Sequence, residues 1–169
     1  TIWILARPDL REASAVLAEL TSWLRARGVR VCLEEKTAEL AGKEPAAQCL
    51  VAAGRDVAGL ADALVVLGGD GTLLAASRLL DKEIPVLGVN FGSLGFLTEV
   101  TLPEIFTSLE GAVNGTAQIE ERMMLQVSVN AGAQRVTERI VLNDVVVTQG
   151  ALSRIIELSV SVGSGLVTK

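Results

Sequence analysis

The stretch Ala63-Leu-Val-Val-Leu-Gly-Gly-Asp-Gly-Thr72 decides the fold class of this chain. An apolar run of strand length enters a glycine-rich turn, and the residues from Thr72 to Leu80 then follow a helical pattern. An unbroken apolar strand is typical of a parallel sheet that helices cover on both faces. Residues 63–80 therefore predict a strand, loop and helix of an α/β fold.

The same alternation continues on both sides of this stretch. Leucines recur at three- and four-residue steps between Leu10 and Leu24, which predicts a helix with one apolar face. Thr101, Pro103 and Glu104 form a helix-start signature. In all, we expect strands at residues 2–6, 29–33, 63–67 and 86–89. We expect helices at residues 10–24, 45–53, 72–80 and from 101 onward.

The pattern changes near residue 115 to strands separated by short turns. We expect strands at residues 124–129, 135–142, 145–147 and 155–162, the last with strict alternation of apolar and polar side chains. The predicted architecture is a Rossmann-like parallel-sheet domain at residues 1–115, followed at 116–169 by the start of an all-β sandwich domain. A sheet of about 50 residues is small for an independent domain, so we expect more chain to follow.

Composition excludes several classes of function. The 169 residues contain no His, which excludes a histidine base, a Ser-His-Asp triad and an imidazole metal site. The net charge of -5 argues against nucleic acid as a partner. The longest uncharged stretch, residues 84–98, is too short and too broken by glycine and proline to span a bilayer. With two isolated cysteines and no signal-peptide pattern, we expect a cytoplasmic protein without a membrane partner.

The first candidate site is the glycine loop at residues 68–72. Backbone N–H groups of Gly68, Gly69 and the helix start, with Thr72, suit a phosphate. Asp70 would repel that phosphate, so a functional Asp70 should hold Mg²⁺ or take a proton from an attacking hydroxyl. Alternatively, Asp70-Gly71 is only a turn, and Asp70 or Thr72 caps the helix. The spacing leaves both interpretations open.

The second candidate is Gly88-Val-Asn-Phe-Gly-Ser-Leu-Gly-Phe-Leu97, which follows another predicted strand. A phenylalanine presented by a glycine loop can stack on a purine, although Phe91 and Phe96 taken singly are more often core residues. The third candidate is Asn143-Asp144, which can read ribose hydroxyls or can form a bulge between strands. Arg154 can pair with a phosphate or can simply face Glu157 on an exposed strand.

Four segments together resemble the bacterial NAD kinase family. They are Val-Val-Leu-Gly-Gly-Asp-Gly-Thr-Leu-Leu at 65–74, Pro-Val-Leu-Gly-Val-Asn-Phe-Gly-Ser-Leu-Gly-Phe-Leu at 85–97, Glu-Arg-Met-Met-Leu at 121–125 and Leu-Asn-Asp-Val-Val-Val at 142–147. Diacylglycerol-type lipid kinases and phosphofructokinases carry similar GGDG loops but lack the second and fourth segments. The resemblance therefore favours NAD kinase over a lipid kinase or a non-catalytic nucleotide-sensing module.

The resemblance implies an enzyme that phosphorylates the 2′-hydroxyl of the adenosine ribose of NAD to give NADP. It implies ATP or polyphosphate as donor, a divalent metal such as Mg²⁺, and assembly as a homodimer or homotetramer. The family continues with a tyrosine-containing loop that clasps the NAD, whereas this chain contains no Tyr. We therefore expect the chain to be part of a longer protein.

The roles that the resemblance implies are carried over position by position, with no residue assigned as a metal ligand. Asp70 is the proton acceptor and borders the ribose together with Gly71. The remaining implied contacts are Leu74 and Phe96 at the adenine, Asn143 and Asp144 at a ribose or the nicotinamide part, Arg154 near the ligand, and Gly68, Gly69, Thr72 and Arg78 at the phosphates.

Overall fold

The computed structural model describes residues 1–92, 95–148 and 156–168, apart from the side chain of Val57. Contacts divide the chain into two compact units, Thr1–Arg122 and Met123–Lys169. The first unit is a parallel sheet with helices, and the second consists of antiparallel hairpins. The α/β class followed by an all-β segment is therefore confirmed, while the domain boundary at 115/116 stays a prediction.

The first unit is built on a six-stranded parallel sheet with the strand order β3-β2-β1-β4-β5-β6. The order reverses direction between β1 and β4, which makes the carboxyl ends of these two strands a topological switch point. The strands are β1 Ile2–Ala6, β2 Val31–Glu34, β3 Leu50–Ala52, β4 Ala63–Gly68, β5 Val86–Asn90 and β6 Val100–Thr101.

Helices cover the sheet on both faces. They are α1 Ala13–Ala26, α2 Glu35–Ala41, α3 Lys43–Ala46, α4 Gly54–Ala58, α5 Asp70–Ser77 and α6 Ile105–Val113, the last preceded by a 3-10 turn at Leu102–Glu104. The α1 leucines belong to the same core as Val89 of β5. The preceding residue, Gly88, faces the opposite side of the sheet, because successive strand residues alternate between the two faces. A Cβ added to Gly88 would lie 2.8 Å from the side chain of Leu73 in α5.

Two local expectations for the first unit had different outcomes. The helix start at Thr101 is confirmed, because the Glu104 carboxylate accepts a hydrogen bond from the backbone N–H of Thr101 at 3.1 Å. The helix expected at residues 45–53 is wrong, since α3 ends at Ala46 and Leu50–Ala52 forms β3. Parallel pairing with β2 provides backbone hydrogen bonds for this short apolar run, which the local pattern does not reveal.

The second unit contains two antiparallel hairpins. Strands β7 Leu125–Ala131 and β8 Gln134–Val141 form the first, and β9 Val160–Val162 and β10 Gly165–Thr168 form the second. Each turn contains a glycine with a φ of 59°.

Two strand expectations for the second unit differ from the structure: the strand at 145–147 was wrong, and the strand at 155–162 was too long. No strand occurs at residues 145–147, and within the described part of 155–162 only Val160–Val162 is a strand. The backbone of a strand needs a neighbouring strand to bond with, and apolar alternation alone does not supply one.

No helix in the described ranges has both the length and the apolar character needed to cross a membrane.

We predict that Leu17→Ala lowers the free energy of unfolding by about 2–5 kcal/mol, because the fully buried Leu17 side chain would leave a cavity between α1 and the sheet. Urea unfolding of the protein that contains this chain measures the effect. The control is Glu19→Ala on the exposed side of α1, for which we expect a change within about 0.5 kcal/mol. Equal effects of the two substitutions would contradict the packing of α1.

Candidate active site

The glycine loop lies at the topological switch point of the sheet. Gly68 ends β4, Gly69 is the N-cap of α5, and Asp70 is the first residue of that helix. Open parallel sheets bind their ligands at this edge, beyond the carboxyl ends of the strands. The buried strand before the loop and the helix after it therefore hold the loop where a ligand is expected.

The carboxylate of Asp70 binds the segment that follows β5. Its Oδ2 accepts a hydrogen bond from the backbone N–H of Phe96 at 2.8 Å. Its Oδ1 accepts from the N–H of Leu97 at 3.1 Å, and from the N–H and hydroxyl of Thr98 at 3.0 and 2.9 Å. Asn90 joins them because its amide donates a hydrogen bond to the hydroxyl of Thr98. We call Asp70, Asn90 and residues 95–98 the Asp70 network. The Asp70 carboxylate therefore bonds the second loop and does not cap α5.

The Asp70 network keeps the carboxylate ionised. Desolvation by partial burial raises the pKa of Asp70, and the hydrogen bonds from Phe96, Thr98 and Leu97 lower it. The hydrogen bonds prevail, and the pKa of Asp70 lies below its ordinary value. Asp70 is therefore an anion at neutral pH, able to accept a proton but only weakly basic.

Glycine is required at three close approaches in the two loops and between them. A Cβ added to Gly95 would lie 2.1 Å from Oδ1 of Asp70, and one added to Gly88 would lie 3.2 Å from the Cα of Thr98. Likewise, a Cβ on Gly68 would lie 2.5 Å from the hydroxyl oxygen of Thr72. These glycines allow contacts with side chains and backbone that any larger residue would push apart.

The two phenylalanines of the second candidate segment have different environments. Phe91 is half-buried and packs against the hydrophobic core. Phe96 is 91% exposed, although its backbone N–H is held by Asp70. The core interpretation is therefore correct for Phe91 only, and Phe96 presents a free aromatic face beside the loop.

Thr98 is a residue of the site that the sequence pattern does not single out. It is fully buried, and its hydroxyl contacts both Asp70 and the amide of Asn90. The one signal in the sequence is a hydroxyl that directly follows the Gly95-Phe-Leu turn.

Arg7 also belongs to this edge of the sheet. It follows β1, and its backbone N–H donates to the carbonyl of Leu67 at 2.9 Å, next to the glycine loop. Its half-exposed guanidinium pairs with Asp9 at 2.8 Å. The topology thus places the backbone of Arg7 beside the loop, which the chain order alone does not indicate.

The other predicted site residues are more scattered. Gly71 is exposed and Leu74 is half-buried, both within α5. Arg78 follows the last residue of α5, about 12 Å along the helix axis from Asp70. Asn143 and Asp144 are exposed and follow β8 in the second unit. Arg154 lies outside the described residues.

The described residues do not form a protein-only metal site. No group of three or more His, Cys, Asp and Glu side chains lies together among them. Asp70, the carboxylate of the network, already accepts four hydrogen bonds. This donor set does not fit a resident cation, although Mg²⁺ is often held largely by substrate phosphates.

Comparison with known families accounts for this arrangement. The family described as ATP-NAD kinase N-terminal domain matches residues 2–117, which include the parallel sheet and the whole Asp70 network. The chain belongs to the NAD kinase family.

Individual relatives agree with this assignment. The chain is 46% identical to the NAD kinase of Geobacter sulfurreducens over 162 residues, which are 95% of this chain and 55% of that protein. It is 44% identical to the NAD kinase of Citrifermentans bemidjiense over 168 residues, 99% of this chain and 58% of the relative. The chain therefore spans little more than half the length of these curated relatives.

A solved structure resembles the fold. The crystal structure of yeast NADH kinase complexed with NADH matches 83% of this chain and 45% of its own chain, with a TM-score of 0.69 and 21% sequence identity. This similarity supports the arrangement of the sheet and its helices.

We predict that Gly95→Ala lowers the free energy of unfolding by about 1–3 kcal/mol, because its Cβ cannot fit beside the Asp70 carboxylate. The control is Gly92→Ala, where, among the described residues, an added Cβ would have only Asn90 Oδ1 near it, at 3.8 Å. Denaturant unfolding measures both variants. If Gly92→Ala were as destabilising as Gly95→Ala, the described contact between the two loops would be wrong.

Proposed function

We propose that the protein containing this chain is an NAD kinase, which transfers a phosphoryl group to the 2′-hydroxyl of the adenosine ribose of NAD. The observation that carries the proposal is the ionised Asp70 carboxylate at the switch point, beside the exposed ring of Phe96. The family membership of residues 2–117 supports the same reaction.

In the proposed reaction the ribose hydroxyl donates its hydrogen bond to Asp70. The 2′-oxygen forms a bond to the transferred phosphorus while the bond from that phosphorus to the bridging oxygen of the donor breaks. The hydroxyl proton passes to Asp70 and then to water. Phosphoryl transfer has a loose transition state, so the hydroxyl needs little prior deprotonation and a weakly basic carboxylate is sufficient.

The other contacts follow from the positions of the side chains. The exposed ring of Phe96 is suited to stack on adenine. N–H groups of the 68–72 loop and the guanidinium of Arg7 are suited to the phosphates of the donor. A divalent metal such as Mg²⁺ would arrive on those phosphates and neutralise their charge. Asn143, Asp144, Arg154 and Arg78 remain proposed ligand contacts.

Further parts of the proposal rest on family membership. We propose ATP or polyphosphate as the donor, a cytoplasmic location, and assembly as a homodimer or homotetramer. Light scattering of the full-length protein measures its assembly, and assays with each donor separate ATP from polyphosphate.

We predict that Asp70→Asn lowers kcat for NADP formation by roughly two to four orders of magnitude. The asparagine amide cannot take the proton and has only one oxygen for the four donors that Asp70 accepts. The assay uses the full-length protein with NAD, ATP or polyphosphate and Mg²⁺, and quantifies NADP by chromatography.

The control for this variant is Asp81→Asn, an exposed aspartate on the turn after α5, which should retain the wild-type rate. Full activity of Asp70→Asn would reject Asp70 as the reacting group. A wild type that binds NAD without making NADP would indicate a nucleotide-sensing module. Phosphorylation of diacylglycerol instead of NAD would indicate a lipid kinase.

We further predict that Arg7→Ala raises the KM for ATP roughly tenfold, because it removes a charge-assisted contact with the phosphates. Steady-state kinetics at saturating NAD measure the change, and Arg11→Ala, an exposed arginine further along the same connection, is the control. An unchanged KM in Arg7→Ala would remove Arg7 from the donor site.

A further inference from the structure

The feature that carries a further inference is the buried hydroxyl of Thr98. Thr98 has 0% exposed surface, yet its side chain is polar. Its Oγ1 lies 2.9 Å from Oδ1 of Asp70 and 3.0 Å from Nδ2 of Asn90. It therefore links the candidate reacting group to the end of β5.

The direction of these hydrogen bonds follows from the donors and acceptors. Oδ1 of Asn90 accepts from the backbone N–H of Gly92 at 2.7 Å, which orients the amide with its NH₂ group toward Thr98. An amide nitrogen only donates, so Oγ1 of Thr98 accepts from Asn90. The single hydroxyl hydrogen of Thr98 is then directed to Oδ1 of Asp70.

This arrangement makes the two carboxylate oxygens of Asp70 different. Oδ1 accepts three hydrogen bonds, from the N–H of Leu97 and from the N–H and hydroxyl of Thr98. Oδ2 accepts one, from the N–H of Phe96. With three donors at Oδ1 and one at Oδ2, Oδ2 is the oxygen that retains more acceptor capacity.

Close packing holds Thr98 in this place. A Cβ added to Gly95 would lie 2.7 Å from Oγ1 of Thr98, and one added to Gly88 would lie 3.0 Å from Cγ2. The hydroxyl and the methyl group thus each lie next to a glycine, and the side chain has no exposed surface. The side chain has little freedom to rotate away from Asp70.

We propose that Thr98 is a positioning residue that occupies Oδ1 of Asp70 and so leaves Oδ2 as the oxygen that receives the ribose hydroxyl. This proposal rests on the proposed function and deepens it, because it assigns the reacting atom within the site. Thr98 acts through Asp70 and does not itself contact the substrate.

The test compares Thr98→Val and Thr98→Ser in the full-length protein. Valine preserves the shape of the side chain but removes the hydroxyl, whereas serine preserves the hydroxyl. We expect Thr98→Val to lower kcat roughly ten- to a hundredfold, the effect of losing one charge-assisted hydrogen bond, with the KM for NAD changed by less than about threefold. Thr98→Ser should restore kcat to within about threefold of wild type, because it keeps that hydrogen bond.

A second readout follows the carboxyl group itself. Loss of the Thr98 hydroxyl removes a donor that favours the ionised form, so the pKa of Asp70 should rise in Thr98→Val. Carboxyl ¹³C NMR of aspartate-labelled protein measures this pKa, with Asp70→Asn identifying the signal. The acid limb of the kcat profile should move to higher pH in the same variant.

The control is Thr21→Val, which removes another buried hydroxyl that bonds the carbonyl of Ala18 within α1. It should change stability without changing kcat or the Asp70 pKa.

The proposal is overturned if Thr98→Val leaves both kcat and the Asp70 pKa unchanged, or if serine fails to restore activity in a folded protein. A wild type that makes no NADP would reject the proposed function and the catalytic part of this inference. The Asp70 pKa in Thr98→Val would still test the orientation.

Discussion

The site depends on one carboxylate that joins two loops. Asp70 begins the helix after β4, and its oxygens accept hydrogen bonds from three successive residues after β5, Phe96 to Thr98. These donors are 26 to 28 positions away in the chain. Without the anion, three N–H groups and a hydroxyl would lose their acceptor, and the loop that presents Phe96 would lose its anchor.

The role of the surrounding glycines is to leave space for this interaction, more than to make the backbone flexible. Gly88 and Gly95 leave the space in which Thr98 and Asp70 meet, and Gly68 leaves room for Thr72. Parallel pairing of β4 with β5 brings Gly68 opposite Asn90, so both glycine-rich segments leave the sheet side by side. Packing, polarity and backbone pairing therefore act on the same few atoms.

Much of the fold could be predicted because its local signals agree with the tertiary structure. The apolar run of β4 and the leucine spacing of α1 were sufficient, since both elements bury those residues against one core. The helix expected at residues 45–53 was wrong because β3 depends on pairing with β2, which lies far away in the chain. The site was predicted as two separate loops, and the contact between them was not foreseen.

The sequence by itself determined the α/β class, the position of the glycine loop, the absence of any histidine base, and the family. These depend on composition and short-range spacing, which are readable along the chain. Only the tertiary structure decided that Asp70 holds the second loop instead of capping α5, that Thr98 completes the network, and that Phe96 is exposed while Phe91 is half-buried against the core. Hydrogen bonds and burial depend on which distant atoms the sheet brings within about 3 Å, and no periodicity encodes that distance.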